Sequence, residues 1–264
     1  MDRNHASYLS IIVLIVTLFG CKSFQSETEK AENSQLNSQA GLQGKAINYR
    51  SLPIAKELIA LTSPEGQSLA YSADARSDLL PLLSLLQWQQ MQPFCGIASA
   101  VTVLNMLKVP APFASEYNYR VFTQNNFFQD QTLKIAKRED VLKSGLTLQQ
   151  LGSLLSSHGA KVVVHSSDKM TFEVFKATAI ENLKNVDDAI IVNYSRPLVF
   201  QEGGGHHSPV GAYHSKADRF LILDVAQHRY EPVWIRSIDL WNAIHTSDQL
   251  DSTLWRGFLS VSKK

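Results

Sequence analysis

A short segment around Cys95 constrains the fold of this chain more than any other part of the sequence. Gln92 and Pro93 form a turn signal just before Cys95, and residues 96–107 are mostly small or apolar and favour a helix. The thiol is therefore expected at or just before the first helical turn. Free N–H groups and the positive end of the helix dipole favour an anion there, which promotes the thiolate form of Cys95.

A histidine and an aspartate follow far downstream of this cysteine. His206 comes after a run of glycines, and Asp224 ends an apolar predicted strand. Taken singly, these residues have ordinary explanations as a buried apolar cysteine, a loop histidine and a turn-forming aspartate. Taken in this order, Cys95, His206 and Asp224 are typical of a papain-like nucleophile, base and orienting carboxylate. Gln89, just upstream, stands where such enzymes carry an oxyanion-stabilising side chain.

Three segments resemble the phytochelatin synthase family, whose members are papain-like glutathione γ-glutamylcysteinyltransferases. They are residues 93–99, 205–213 and 221–226, and weaker matches extend the resemblance over residues 52–245. The resemblance implies a papain-like fold. In that fold an N-terminal helical part, with the nucleophile helix, packs on a C-terminal antiparallel sheet.

The resemblance also implies roles for individual residues. Four match the catalytic positions of the family: Cys95 as nucleophile, His206 as base, Asp224 as orienting carboxylate and Gln89 as oxyanion donor. Three others match positions expected to contact the substrate: Arg196, Gly205 and Tyr230. For Arg196, a surface position before a proline is an equally good interpretation.

Two positions depart from the family pattern. The family usually has phenylalanine after the catalytic histidine, and this chain has His207. The Gly-His-x-Ser-Pro frame favours His206 as the base, with His207 as the alternative. The family also tends to have arginine where this chain has Gln227. Because that arginine is associated with handling a second substrate, we expect inefficient polymer synthesis.

The reaction implied by the resemblance is acyl transfer from glutathione through a γ-glutamylcysteinyl-enzyme. Water as acceptor gives γ-glutamylcysteine, and a second glutathione gives phytochelatin. A general papain-like peptidase or amidase is one alternative. A lipid-anchored metal- or thiol-binding protein is another, but it predicts several cysteines or a ligand cluster, which the sequence does not show.

The sequence also indicates which metals and partners to expect. No metal-ligand motif is visible, so no metal or cofactor is expected to bind tightly. Cadmium and zinc ions are expected to act as metal–glutathione thiolate complexes, which are substrates. With 25 Lys and Arg against 24 Asp and Glu, and no basic stripe, nothing points to nucleic acid. A homodimer is compatible with the sequence.

The first residues predict where in the cell the protein is located. Residues 1–20 have a short apolar core that suits a signal peptide better than a transmembrane helix, and they end in a bacterial lipobox-like sequence before Cys21. We therefore expect a lipoprotein acylated at Cys21, anchored to a bacterial membrane, with its catalytic domain in the periplasm or otherwise outside the cytoplasm. A plain signal anchor or a secretory signal cleaved elsewhere is the alternative.

Residues 21–50 are polar and predict a flexible tether, and residues 51–264 predict the catalytic domain. The chain has two cysteines, so acylation of Cys21 would leave Cys95 as the only free thiol. No cysteine-rich tail is visible, and the chain is expected to correspond to the short prokaryotic form of the family.

Apolar periodicity predicts the elements of the folded part. Helices are expected at residues 77–91, 95–107, 147–158, 171–185 and 238–245, and strands at 161–166, 189–194, 208–214, 219–225 and 255–262. Because helices come first and antiparallel strands later, the order indicates an α+β fold rather than an α/β fold.

Overall fold

The computed structural model of the protein describes residues 51–264. The predicted signal peptide, the acylated Cys21 and the tether of residues 21–50 lie outside the described residues. Between residues 51 and 264, no helix is long and apolar enough to cross a membrane.

The described part contains helices and strands in mixed order. The helices are α1 (Pro64–Ser72), α2 (Leu79–Leu85), α3 (Cys95–Met106), α4 (Asp130–Leu133), α5 (Arg138–Ser144), α6 (Leu148–Ser157), α7 (Phe172–Asn182) and α8 (Ser237–Ile244). The strands are β1 (Ile59–Ala60), β2 (Phe113–Ala114), β3 (Tyr119–Arg120), β4 (Lys161–Ser166), β5 (Asp188–Ser195), β6 (Gly205–His214), β7 (Arg219–Ile222), β8 (Val233–Arg236) and β9 (Gly257–Ser262).

Seven strands form one sheet in the order β1-β8-β7-β6-β5-β9-β4, while β2 and β3 form a separate hairpin. All neighbouring strands of the large sheet are antiparallel. This sheet confirms the α+β prediction, because an α/β fold would pair its strands in parallel.

The sheet is covered on both faces by apolar clusters. One cluster joins residues of α3 and α6, such as Leu104 and Leu155, to Ile191 of β5. The other joins Phe175 of α7 to Val192 of β5 and to residues of α8. Neighbouring side chains of β5 alternate between the two clusters, as the period of a strand requires. Strand β5 is therefore buried on both faces, which explains its continuous apolar run.

Helix α3 is buried from Cys95 to Leu104, so every side of its first turns contacts protein. Its small residues suit this environment because they allow close packing against the sheet. A short 3-10 turn at Gln92–Phe94 leads into the helix, and the first helical residue is Cys95. The sequence prediction for this helix is confirmed, and the thiol lies at the helix N-terminus.

The helix predicted at residues 77–91 is shorter than expected and ends at Leu85. Beyond it the backbone binds other elements: the N–H of Gln87 donates to Thr102 Oγ1, and the N–H of Gln89 donates to the carbonyl of Val225. These tertiary hydrogen bonds replace the intrahelical ones. Strand β6 begins three residues earlier than predicted, at Gly205, and therefore carries His206 and His207.

Candidate active site

The Cys95 thiol is almost buried, with 8% of the residue exposed. Burial by itself would raise the pKa of a thiol. His206 opposes this through its charge and a hydrogen bond, and His207 does so to a lesser degree, so that the pKa of Cys95 is held well below its usual value. Its place in the first helical turn favours the same ionised form. Cys95 therefore has the properties of an activated nucleophile.

Two adjacent histidines of β6 act on this thiol. In the antiparallel register, His206 pairs with Tyr194 and His207 pairs with Asn193. The ring of His206 lies edge-on to the ring of Tyr194, with 5.6 Å between centroids. Nδ1 of His207 lies 3.9 Å from Sγ of Cys95. The thiol thus has two imidazole neighbours, and only their other contacts distinguish the two.

His206 is the histidine that binds a carboxylate. Its Nε2 lies 2.9 Å from Oδ1 of Asp224, which is fully buried. The same oxygen accepts hydrogen bonds from Nη2 of Arg196 at 3.0 Å and from the N–H of Ala226 at 2.8 Å. Arg196 Nη1 lies 2.8 Å from the other carboxylate oxygen. Asp224 can therefore hold His206 in one orientation.

The charges of these groups reinforce one another. Burial would raise the pKa of Asp224, but the charges and hydrogen bonds of His206 and Arg196 hold it below its usual value. Burial and the charge of Arg196 oppose protonation of His206, yet Asp224 and the Cys95 thiolate raise its pKa. With the pKa of Cys95 lowered and that of His206 raised, a thiolate–imidazolium pair is favoured. Such a pair supplies a nucleophile and an acid for the leaving group.

Gln89 lies next to this triad but uses part of its side chain elsewhere. Its backbone N–H donates to the carbonyl of Val225, the residue after Asp224. Its Nε2 donates to the carbonyl of Gln92 at 2.9 Å. An amide nitrogen has two hydrogens, so one remains for an oxyanion. The oxyanion role of Gln89 stays a prediction.

A cavity of about 110 Å³ lies against Cys95. Its polar lining includes Asn193, His207, Asp248 and Arg256. Arg256 is only 2% exposed, and its Nη1 donates to Oδ1 of Asn193 at 2.7 Å. Asn193 Nδ2 in turn donates to Oδ2 of Asp248 at 3.1 Å. The cavity next to the nucleophile therefore contains one guanidinium and one carboxylate.

Gly205 also lines this cavity, and its contact with the substrate stays a prediction. A Cβ at this position would lie 2.5 Å from Nη1 of Arg256. Real Cβ atoms do not approach that closely, so the absence of a side chain lets the guanidinium pack against the strand. Glycine at 205 thus shapes the cavity.

Arg196 and Tyr230 lie behind Asp224 and are not part of the cavity lining. The Arg196 guanidinium pairs with Asp224 and lies 5.2 Å from the centre of the Tyr230 ring. The Tyr230 hydroxyl accepts a hydrogen bond from the N–H of Glu202 at 2.7 Å. Arg196 is buried, so the surface interpretation of this residue is wrong. In this structure it holds Asp224, and its predicted contact with a substrate carboxylate stays a prediction.

The sequence pattern missed Asn193, Asp248 and Arg256. One signal was present for Asn193, because an amide interrupts the apolar run of a buried strand. Asp248 and Arg256 carry no local signal, since they lie in and beside an ordinary polar loop. Among residues 51–264, no group of three or more His, Cys, Asp or Glu side chains is placed to hold a metal ion.

Comparison with known proteins points to one family. The phytochelatin synthase family model matches residues 48–258. Glutathione gamma-glutamylcysteinyltransferase 1 of Triticum aestivum is 32% identical over 219 residues, which are 82% of this chain and 43% of the wheat protein. Glutathione gamma-glutamylcysteinyltransferase 3 of Lotus japonicus is 31% identical over 219 residues, 81% of this chain and 44% of the relative.

A fungal relative gives the same result at lower similarity. Glutathione gamma-glutamylcysteinyltransferase of Schizosaccharomyces pombe is 27% identical over 194 residues, 72% of this chain and 45% of that protein. The chain thus spans less than half the length of these curated relatives. Because the family model covers most of the described residues, including the whole candidate site, the chain belongs to the phytochelatin synthase family.

Proposed function

We propose that this chain is a thiol-dependent acyltransferase that acts on glutathione and cleaves its bond between cysteine and glycine. The observation that carries the proposal is the cavity where the activated Cys95 thiol and the buried guanidinium of Arg256 meet. The names of the relatives, all glutathione gamma-glutamylcysteinyltransferases, support the same substrate. A papain-like arrangement fits the chemistry, with the cysteine on a buried helix and the histidine on an antiparallel sheet.

The reaction follows from the charges at the site. The Cys95 thiolate attacks the carbonyl carbon of the cysteine–glycine bond, and the oxygen gains negative charge. The Cys95 N–H and the second hydrogen of the Gln89 amide are the donors available to that oxygen. His206 then protonates the glycine nitrogen as the carbon–nitrogen bond breaks, and Asp224 keeps the imidazole oriented. A γ-glutamylcysteinyl thioester and free glycine result.

The second half of the reaction regenerates the thiol. His206, now neutral, takes a proton from the acceptor as that acceptor attacks the thioester carbon. Water yields γ-glutamylcysteine, and the amine of a second glutathione yields a phytochelatin. The carbon–sulfur bond breaks and its electron pair stays on Cys95.

The cavity favours a small zwitterionic substrate over a protein. Arg256 offers a positive charge for an α-carboxylate, and Asp248 offers a negative charge for an α-ammonium group. Both charges occur at the γ-glutamyl end of glutathione. A volume of about 110 Å³ accommodates a group the size of one amino acid, whereas pockets for drug-sized ligands have about 300–1,000 Å³.

Release of glycine from glutathione tests the proposal directly. We expect the purified chain to release glycine and Cys95→Ala to lose at least about 10³-fold in rate, because the nucleophile is gone. His206→Ala should be as damaging and His207→Ala much milder. Appreciable turnover by a folded Cys95→Ala protein would rule out the thiol mechanism. A general peptidase would instead cleave unrelated peptides, and a binding protein would release no glycine.

Hydrolysis is proposed to outweigh chain extension. Gln227 replaces a basic residue that is typical of the family, and a lost charge contact of ~1.5–3 kcal/mol would favour water over a held peptide acceptor by about tenfold or more. Cadmium or zinc would enter as the glutathione thiolate complex, which is a substrate. Product analysis at high glutathione, with and without these metals, should show mainly γ-glutamylcysteine. Gln227→Arg should raise the phytochelatin fraction and Gln227→Glu should not.

Membrane anchoring through Cys21 is a separate proposal, supported by the lipobox-like sequence before it. Cys21→Ser should block acylation and shift the protein from the detergent phase to the aqueous phase, or leave the signal peptide uncleaved. An unchanged mass and unchanged partitioning would show that Cys21 is not the anchor.

A further inference from the structure

His207 is a buried imidazole at the site. It takes no part in the proton transfer proposed for His206 and Asp224. It is 3% exposed, and it lines the cavity beside Cys95. Its Nδ1 is directed at Sγ of Cys95 across 3.9 Å, which is long for a hydrogen bond to sulfur. Catalytic hydrogen bonds are often long in unliganded enzymes and shorten when substrate binds.

The backbone fixes His207 in this position. Its carbonyl accepts a hydrogen bond from Oγ of Ser99, one turn into α3, at 3.2 Å. Its strand pairs with β5 at Asn193, the residue that binds Arg256. The ring is therefore held between the nucleophile helix and the floor of the cavity.

The surroundings of the second ring nitrogen, Nε2, indicate which ring nitrogen of His207 carries a proton. Its Nε2 is buried and has no hydrogen-bond partner among residues 51–264. A proton there would be a buried donor without an acceptor, which is costly. A proton on Nδ1 instead points at a thiolate, which is a strong acceptor. His206 differs, because its Nε2 meets Asp224 and its ring can carry both protons.

We propose that His207 is a second hydrogen-bond donor to the Cys95 sulfur, through a proton on its Nδ1. In this role it transfers no proton. It stabilises the thiolate before attack and, resting on the proposed function, stabilises it again when the thioester carbon–sulfur bond breaks and the electron pair returns to sulfur. His206 remains the group that gives and takes protons.

Other charged groups also face this thiol and must be kept constant in any test. His206, Asp224 and Arg196 lie on the β6 side, and Arg256 and Asp248 lie across the cavity. Two substitutions of His207 leave all of them in place. His207→Phe keeps a flat ring but removes the donor. His207→Asn places an amide nitrogen close to the position of Nδ1 and keeps a donor.

The test is the rate at which iodoacetamide alkylates Cys95 as a function of pH, in the full-length chain without glutathione. Mass spectrometry of the peptide that contains Cys95 reads this thiol separately from Cys21. We expect alkylation of His207→Phe at pH 6 to be about tenfold slower than in the unchanged chain, with its rise moved to higher pH. His207→Asn should stay within about threefold of the unchanged chain. His165→Phe, a matched change on strand β4, should leave the profile unaltered.

Three outcomes would overturn the proposal. One is an unaltered alkylation profile in a folded His207→Phe protein. Another is an equal shift in the phenylalanine and asparagine variants, which would assign the effect to packing. The third concerns the unchanged chain: ¹⁵N spectra of labelled histidine should show His207 protonated on Nδ1, and a ring protonated on Nε2 alone would contradict the inference even if a variant fails to fold. Alkylation requires no glutathione, so a failed glycine-release assay would leave this test intact.

Discussion

Asp224 and Asp78 are aspartates with almost no exposed surface, 0% and 1%, yet their carboxyl groups behave in opposite ways. Asp224 contacts Arg196, His206 and a backbone N–H, and its pKa is lowered. Asp78 lies just before α2, and neither of its oxygens has a hydrogen-bond partner among the described residues. Burial, followed by the charge of Asp188, raises its pKa to about 8.

The difference shows that burial alone does not create a functional charge. Removing a carboxylate from water favours the neutral acid, and only donors within the protein reverse that preference. The region around Asp224 supplies a guanidinium, an imidazole and an amide. The region around Asp78 supplies a second carboxylate instead. Of these two buried aspartates, Asp224 therefore stays charged at neutral pH and Asp78 does not.

The largest expected effect comes from replacing the Asp224 carboxylate. Asp224→Asn should lower kcat/KM for glycine release by about 10³–10⁴-fold, because an amide neither balances Arg196 nor selects the useful tautomer of His206. Asp78→Asn is the matched control and should change the rate by less than about twofold, since Asp78 makes no contact with the site. Similar losses in both variants would mean that burial, and not partnership, is what matters.

Arg196→Met should have the next largest effect, and it should appear in stability. Removing one partner of a buried ion pair leaves an uncompensated charge, so the free energy of unfolding should fall by about 3 kcal/mol in urea denaturation. Adding Asp224→Asn to Arg196→Met should restore part of this loss, because the orphaned charge is then gone. A double variant as unstable as the sum of the single variants would contradict the pairing.

The smallest expected effect is a gain in stability at Asp78. Its pKa of about 8 in the folded chain exceeds the usual 3.8, so the folded state binds more protons between these values. Stability linked to Asp78 is therefore complete below about pH 4 and is lost as pH rises towards 8. Asp78→Asn should raise the free energy of unfolding by an amount that grows from about pH 4 to pH 8 and is negligible at pH 4. Equal effects at both pH values would show that Asp78 does not titrate as proposed.

Local sequence was sufficient for elements whose residues repeat with a clear period. The nucleophile helix, strand β4 and helix α6 were predicted within one or two residues, because their apolar positions and their turn or capping residues agree. Strand β8 is short and was not predicted. The segment after Leu85 was predicted as helix and is not helical, because distant groups bind its backbone.

The sequence by itself predicted that a cysteine begins an apolar helix and that a histidine and an aspartate follow far downstream. Only the tertiary structure decided which of the two histidines meets the carboxylate, because that depends on the register of β6 against β5. Only the tertiary structure joined Asn193 to Asp248, 55 residues away, and to Arg256, 63 residues away. Such contacts depend on how strands align across the sheet, and a local pattern of side chains carries no record of that alignment.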